Sequence, residues 1–273
     1  MKSLSTYEIE QLDQITKWEQ IEPSVLAKGT DLLLKPFSWT LNKIIPPKVI
    51  EGAISSCNAA GSFLADQGDI LRDAEVEKIS DLRNKSLELS DKMANEVHNW
   101  ALGLAIAEGG ATGAGGAFTI LIDIPALITL AFRTMHKIGL CYGYECNTPE
   151  DRMYINMILS AASANTVKEK AVALVGLKQI EVIIAKQTWK KISQKAAAGK
   201  MGPEALIMFI KSFSKSLGKN LTKRKALQAI PYVGAAVGAS MNGSFIQDVA
   251  WAARRAFQKR WLADNEKIEL EEN

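Results

Sequence analysis

Apolar side chains recur every three or four residues along almost the whole chain of 273 residues. That spacing places them on one side of a helix, whereas a half-buried strand requires strict alternation of apolar and polar residues. No alternating run of β-branched and aromatic residues, bounded by turn residues, occurs in the sequence. We therefore predict an all-α fold: a single compact multi-helix domain of about ten helices with glycine-rich helix junctions.

Capping residues, prolines and glycines predict where the helices begin and end. Ser5 and Glu8 have capping-box spacing and start a first helix that runs to about Glu19. The longest helix is expected from about Asp73 to Gly109-Gly110, because consecutive glycines favour a helix end. Its apolar seam consists of Ile79, Leu82, Leu89, Met93, Val97, Trp100 and Leu104. Further helices are predicted at about 47–61, 149–165, 167–186, 188–198, 203–217, 223–242 and 244–261.

No composition shift marks an internal domain boundary in the 273 residues. We divide the domain into N-terminal helices (1–72), core helices (73–265) and a frayed acidic tail (266–273). The absence of a 33- or 34-residue repeat argues against a helical solenoid.

The cysteine and histidine content excludes several classes of protein. Three cysteines cannot form a fully paired disulfide framework, and two histidines are too few for a histidine-rich metal site. We expect no metal and no cofactor, and we interpret His98 and His136 as surface or structural histidines. The N-terminus lacks the apolar stretch of a secretory signal, which predicts a cytoplasmic protein.

Residues 101–132 form a long apolar segment whose only ionisable side chains are Glu108 and Asp123. These two acids leave uncharged runs shorter than the ~18 residues that indicate a membrane-spanning helix. We interpret the segment as two core helices joined by a glycine-rich turn, and the alternative is a segment that inserts into or lies against a membrane. Its glycines do not match a phosphate-binding loop, because no Lys-Ser/Thr pair follows them and no strand precedes them.

Positive charge is concentrated between residues 186 and 225. This stretch has eleven cations and one acid, Glu204, giving a net charge of +10. Its lysines flank apolar helical stripes, a pattern typical of helices that lie on an anionic membrane. A solvated lysine face on an ordinary core helix is the alternative, and nucleic acid is disfavoured because arginine is scarce. The candidate membrane-binding residues are Lys186, Lys190, Lys195, Lys211, Lys215, Lys219, Lys223, Arg224 and Lys225.

Two rows of small residues repeat every four positions near the C-terminal end. One row is Gly234, Gly238 and Asn242, and the other is Ala235, Ala239 and Gly243. Small residues at this spacing allow two helices to approach closely, so we predict a helix-packing role for Gly234, Gly238 and Asn242.

Catalytic motifs are not recognisable, and we expect a protein that is not an enzyme. Three acids that lie beside apolar sequence, Glu108, Asp123 and Asp248, are weak candidates for a catalytic or cation-binding carboxylate site. Asp123 precedes Ile124-Pro125 and is most simply a helix N-cap. Asp248 could pair with Arg254 or Arg255, or with Arg133 from another helix.

An ordered set of motifs between residues 101 and 257 resembles the EcsC protein family. The set comprises Glu108-Gly109-Gly110, Thr112-Gly113-x-Gly115-Gly116, Asp123-Ile124-Pro125-Ala126-Leu127, Tyr142-Gly143-Tyr144, Ile230-Pro231-x-Val233-Gly234-Ala235 and the residues Asn242, Phe245, Asp248, Val249 and Ala252-Ala253-Arg254. The family takes its name from the third gene of a bacterial ABC-transporter operon. The resemblance therefore implies a link to an ABC-type transporter, and it implies no particular chemistry.

We hypothesise a non-enzymatic bacterial accessory protein that associates peripherally with the cytoplasmic face of the membrane. The expected partners are an anionic membrane surface and an integral membrane protein such as an ABC transporter. A hydrolase-like enzyme with an acidic site and a membrane-inserting effector or toxin-like domain are the alternatives. The sequence does not predict the oligomeric state.

Overall fold

The computed structural model describes residues 1–21, 47–113, 120–192, 216–217, 220–221 and 234–270. These parts of the chain contain helices and no strand, which confirms the all-α class. The α-helices are α1 (Thr6–Gln20), α2 (Pro47–Leu64), α3 (Gly68–Asp73), α4 (Leu87–Gly113), α5 (Ile120–Cys141), α6 (Pro149–Ser163), α7 (Val167–Ile192) and α8 (Gly234–Asp264), with a 3-10 helix at Ile79–Asn84 between α3 and α4.

The helix count in the described residues is eight α-helices and one 3-10 helix, not about ten. Two predicted breaks do not occur, because α7 and α8 each run through a position where a boundary was expected. The break predicted at Gly109-Gly110 is also wrong, since α4 continues to Gly113. The predicted helix 203–217 lies almost entirely outside the described residues.

The start of the long helix was predicted about fourteen residues too early. Asp73 ends α3, Glu75 has a positive φ of 51°, and the seam residues Ile79 and Leu82 lie in the 3-10 helix. Ser86 then provides the cap of α4, since its Oγ accepts the Leu89 amide at 3.2 Å.

The helix α8 packs against α1, α4, α5 and α6, and α2 packs on α5. One cluster of buried apolar residues draws on every described helix. Most of the predicted seam belongs to it, but Trp100 is 47 % exposed and lies under the Arg133 guanidinium, 4.3 Å from the ring centroid.

The apolar segment 101–132 contributes buried side chains from both α4 and α5. Ala101, Ala105, Ile128 and Phe132 are all fully buried. This placement favours core helices as the interpretation of the segment, although the glycine-rich connection at 114–119 lies outside the described residues. In the described part of the chain, none of the helices has the length and apolar character needed to span a bilayer.

The helices α4 and α8 form an antiparallel pair with small residues between them. A Cβ placed on Gly110 would lie 3.9 Å from the Ala239 Cβ, and one on Gly243 would lie 2.9 Å from Ile106 Cγ1. Glycines expected at helix junctions therefore lie inside helices, where they allow close packing. Asn242 is fully buried in α8, whereas the surroundings of Gly234 and Gly238, near the start of that helix, lie outside the described residues.

Part of the predicted acidic tail is held against the N-terminus. The Lys267 ammonium donates to the Ser3 carbonyl at 2.6 Å and pairs with Glu8 at 3.0 Å, while the Lys2 amide donates to the Glu266 carbonyl at 2.8 Å. Ile268 packs against the core. Residues 266–268 therefore contact the N-terminal segment and the core.

Gly61 is predicted by this packing to tolerate no side chain. The helix containing it was expected to end there, but α2 continues to Leu64, and a Cβ at Gly61 would lie 2.7 Å from the Arg133 amide nitrogen on α5. We expect Gly61→Ala to lower the free energy of unfolding by about 1–3 kcal/mol through overpacking, as measured by thermal or chemical unfolding.

Gly103 provides the matched control on α4. A Cβ there has no neighbour within 4 Å, so Gly103→Ala should raise stability by up to about 1 kcal/mol through helix propensity. Equal effects of the two substitutions would contradict the close crossing of α2 and α5.

Candidate functional site

The outer face of α7 combines exposed apolar side chains with an exposed lysine, Lys168. The inner face is fixed by Ala173, Leu177, Ile180 and Ile184, all of which are buried. Rotation by about 100° per residue places a second set of positions on the opposite face. This outer face of α7 consists of Lys168, Val172, Val175, Gln179 and Val182.

The exposed valines are the unusual feature of this face. Val172 is 67 % exposed and Val175 is 59 % exposed, although α7 packs its other side closely on α6. A helix of 26 residues is about 39 Å long at 1.5 Å per residue. The exposed valines and the backbones of Lys186 and Lys190 therefore belong to one continuous helix. The outer face of α7 is therefore the described surface that continues into the lysine-rich stretch.

The basic residues themselves are described only in part. The backbones of Lys186 and Lys190 belong to α7. Lys195, Lys211, Lys215, Lys219, Lys223, Arg224 and Lys225 lie outside the described residues. Their role in binding a membrane stays a prediction.

Asp248 lies in a groove at the ends of α1, α6 and α7. The groove has a volume of about 360 Å³, and Trp18, Lys170, Trp251 and Arg255 line it together with Asp248. The Lys170 ammonium donates to the Trp18 carbonyl and, at 2.7 Å, to the Ile21 carbonyl, and it lies 4.9 Å from the centroid of the Trp18 ring. Lys170 thus caps the C-terminal end of α1, where carbonyl groups lack helical partners.

The cations of this groove are engaged in structural contacts. Arg255 donates to Gln11 at 2.9 Å and to Gln258 at 2.8 Å. Burial lowers the pKa of Lys170, and the charge of Asp248 counteracts that effect. The proposed arginine partners of Asp248 have other contacts as well, since Arg254 donates to Asn95 at 2.9 Å. The arrangement supports a structural role for the groove.

Of the three candidate acids, Glu108 and Asp248 lie at different levels of the α4–α8 pair, and the side chain of Asp123 is outside the described residues. The facing pairs Asp91–Gln258 and Gly110–Ala239 set the antiparallel register of α4 and α8. In that register Glu108 is level with residue 241, which is seven residues, or about 10 Å, from Asp248 along α8. Among the described residues no three His, Cys, Asp or Glu side chains are grouped so that they could hold a metal ion.

Asp123 lies inside α5, three residues after Ile120, and the helix also includes Pro125. The N-cap predicted at Asp123 is therefore wrong, because the helix begins before it. The side chain of Asp123 is outside the described residues.

Glu181 is a buried titratable acid that no sequence pattern marks. Glu181 on α7 is 3 % exposed, and the hydroxyl of Tyr154 lies 3.2 Å from its Oε1 and 2.8 Å from the Ala256 carbonyl. The Tyr154 hydroxyl is within donating distance of both oxygens, and its hydrogen bond to Glu181 favours the ionised carboxylate. Burial outweighs this effect and raises the pKa of Glu181 to about 7.

The histidines are buried rather than at the surface. His98 contacts Gln247 at 3.0 Å and packs edge-on to Trp251, and His136 contacts Asn58 at 2.7 Å. Burial lowers the pKa of His136 to about 4. Both side chains are therefore structural, as one of the two interpretations expected.

Comparison with known proteins gives the family. The sequence matches the model of the EcsC protein family over residues 9–262. The chain belongs to the EcsC protein family. It is 24% identical to "Uncharacterized protein YdbA" of Bacillus subtilis (strain 168), with 94% of each chain covered. It is also 24% identical to "Protein EcsC" of the same strain, with 59% of each chain covered. No solved structure matches.

Glu181 should make the stability of this EcsC-family protein depend on pH. The folded protein holds the acid with a pKa of about 7, whereas an unfolded glutamate titrates near its ordinary value of 4.5. This contribution to stability is complete below pH 4.5 and is lost as the pH rises through about 7. At about 1.4 kcal/mol per pKa unit, the loss amounts to a few kcal/mol.

The measurement is chemical unfolding of the wild type and of Glu181→Gln between pH 4 and 8. The stability difference between the two proteins should change across this range, because glutamine does not titrate. His136, with its lowered pKa, contributes stability that is lost as the pH falls from about 6.5 towards 4, and that contribution cancels in the difference. A difference that stays constant with pH would contradict the raised pKa of Glu181.

Proposed function

We propose that this EcsC-family protein is a non-enzymatic bacterial accessory protein that binds the anionic cytoplasmic face of the membrane. The observation that carries the proposal is the outer face of α7, where the exposed Val172 and Val175 lie beside Lys168 on the helix whose backbone continues through Lys186 and Lys190. Residues 186–225 then add a net charge of +10. Helices that bind a membrane surface insert apolar side chains into it, and their cations are attracted to anionic lipids.

An integral membrane protein, such as an ABC-type transporter, is the protein partner that we propose. The family resemblance supports this choice. Vesicles that contain no protein distinguish the two partners. A chain that binds lipid should bind these vesicles, whereas a chain that binds only a membrane protein should not. Association with native membranes but not with such vesicles would assign the attachment to a protein.

Removing cations from the basic stretch should weaken vesicle binding. The variant is Lys211→Glu, Lys215→Glu and Lys219→Glu in one chain, and the probe is flotation with vesicles containing anionic phosphatidylglycerol. Each cation near such a surface contributes about 1 kcal/mol, so the triple variant should bind on the order of 100-fold more weakly. Raising the salt concentration should also weaken wild-type binding, because it shortens the Debye length.

A charge-matched control distinguishes this stretch from net charge alone. Lys78, Lys85 and Lys92 are exposed and lie far along the chain from the basic stretch. The triple glutamate variant of these lysines has the same net charge as the test variant and should keep nearly normal flotation. Equal loss in both variants would reject the basic stretch as the binding surface.

The valines give an independent prediction. Val172→Ser together with Val175→Ser removes exposed apolar surface without changing the charge, and we expect about tenfold weaker flotation with little change in stability. Ile9→Ser is the control, because Ile9 is 56 % exposed on α1 rather than on α7. If the valine variant floats like the wild type, the outer face of α7 does not contact lipid.

A further inference from the structure

Glu181 places a carboxyl group in the interface between α7 and the pair formed by α6 and α8. Its Oε1 lies 3.2 Å from the hydroxyl of Tyr154 on α6. Its Oε2 is buried and has no hydrogen-bond partner among the described residues. A buried ionised carboxylate needs donors on both oxygens, because burial without them is costly. The neutral acid is therefore the form that this interface accommodates.

The charged groups that face Glu181 compensate its charge only in part. On α8, Lys259 pairs with Glu19 of α1 at 2.6 Å, and Arg260 pairs with Asp151 of α6 at 2.9 Å. Burial raises the pKa of Glu181 to about 7 in spite of these two cations, and the charge of Glu19 acts in the same direction as burial. An ionised Glu181 would have to share its cations with two other acids.

The hydroxyl of Tyr154 responds to the protonation state of Glu181. It has one proton, and it lies within donating distance of Glu181 Oε1 and, at 2.8 Å, of the Ala256 carbonyl on α8. A neutral Glu181 can donate its own proton to the tyrosine oxygen, which leaves the tyrosine proton for the carbonyl. An ionised Glu181 only accepts, so one proton must then serve two acceptors. Ionisation therefore weakens the hydrogen bonds where α6, α7 and α8 meet.

The contacts of α7 allow it to separate from the other helices. Among the described helices, α7 packs chiefly on α6. The contact between α6 and α8 does not need α7, because Arg260 pairs with Asp151 and the Tyr154 ring packs edge-on to Phe257, with centroids 5.5 Å apart. Segments with few packing neighbours open locally at a lower free energy than the core. Opening of α7 alone would bring an ionised Glu181 into water.

We propose that Glu181 is a proton-dependent switch for α7: the neutral acid holds the helix against α6 and α8, and ionisation lets the helix open while the other helices stay folded. Opening exposes the inner face of α7, whose side chains Ala173, Leu177, Ile180 and Ile184 are buried in the closed form. The switch is independent of the membrane-binding proposal, because it concerns the inner face of α7 and requires no lipid.

The test is amide hydrogen exchange of the full chain, followed by mass spectrometry of peptides from each helix. In the open form Glu181 titrates near its ordinary value of 4.5. Opening therefore releases a proton between pH 4.5 and about 7, and the opening constant of α7 should rise on the order of 50-fold from pH 5 to pH 8. The exchange rates are first corrected for the intrinsic pH dependence of exchange.

Urea distinguishes opening of α7 from unfolding of the whole protein. Local opening exposes little surface, so urea should accelerate the exchange of α7 amides only weakly at pH 8. Amides of the central helix α5 exchange through global unfolding, which urea accelerates strongly. The same urea dependence in α7 and α5 would overturn the switch, because α7 would then open only with the rest of the protein.

Two variants and a matched control assign the pH dependence to Glu181. Glu181→Gln does not titrate and should abolish the rise in α7 exchange between pH 5 and pH 8. Glu96→Gln removes the same charge from an exposed position on α4 and should keep the wild-type rise. Tyr154→Phe removes a donor that favours the ionised acid, so the rise should extend to higher pH.

Three results would overturn the proposal, and one of them is the shared urea dependence of α7 and α5. The others are wild-type α7 exchange without a rise beyond the intrinsic one, and Glu181→Gln with the same rise as Glu96→Gln. If Glu181→Gln fails to fold, Tyr154→Phe decides: an unchanged pH dependence in that variant rejects the switch.

Discussion

The buried carboxylate of Asp91 constrains how the helices of this protein meet. Asp91 on α4 is 3 % exposed and accepts hydrogen bonds from Tyr7 at 2.7 Å, from Tyr142 and from Gln258 at 2.6 Å. The donors come from α1, the end of α5 and α8. A buried carboxylate without such donors would cost several kcal/mol, so these segments must assemble together around it.

A second layer of polar contacts extends from the same part of α8. Arg260 pairs with Asp151 and lies 4.1 Å from the centroid of the Tyr144 ring, while Phe257 stacks on Tyr142 and Tyr144. These contacts fix the start of α6 relative to α8. The same turns of α6 line a cavity of about 610 Å³ beside His136, so the core network also holds the shape of that cavity.

The features that the sequence predicted correctly depend on residues that are close together along the chain. The helical class, the capping box at Ser5 and the start of α6 at Pro149 follow from local spacing and are all present. The continuation of α4 through Gly109-Gly110 was missed, because it depends on packing against α8 rather than on helix propensity. Trp100 was placed in the buried seam by periodicity alone, although its actual partner is Arg133 on another helix.

The site residues were harder to predict for the same physical reason. His136 is held by a hydrogen bond with Asn58, which is 78 residues away in the sequence. Lys170 is held by hydrogen bonds to carbonyls at the end of α1, about 150 residues away. Neither pairing leaves a local pattern. Glu181 has a helical position like any other, and only its burial beside Tyr154 raises its pKa. Charge excess, in contrast, is visible in sequence, which is why the basic stretch was found and the cavity was not.

The buried charges of this protein are compensated within the chain, whereas the cations of residues 186–225 are not. Each buried charge discussed above has a specific partner, since the cost of burial without one is large. The stretch from 186 to 225 contains one acid for eleven cations and cannot neutralise itself. Mutual repulsion of those cations opposes any compact arrangement of them, so their concentration adds nothing to folding stability. An anionic surface outside the chain removes this repulsion, and the exposed valines of α7 lie on the helix that leads into it.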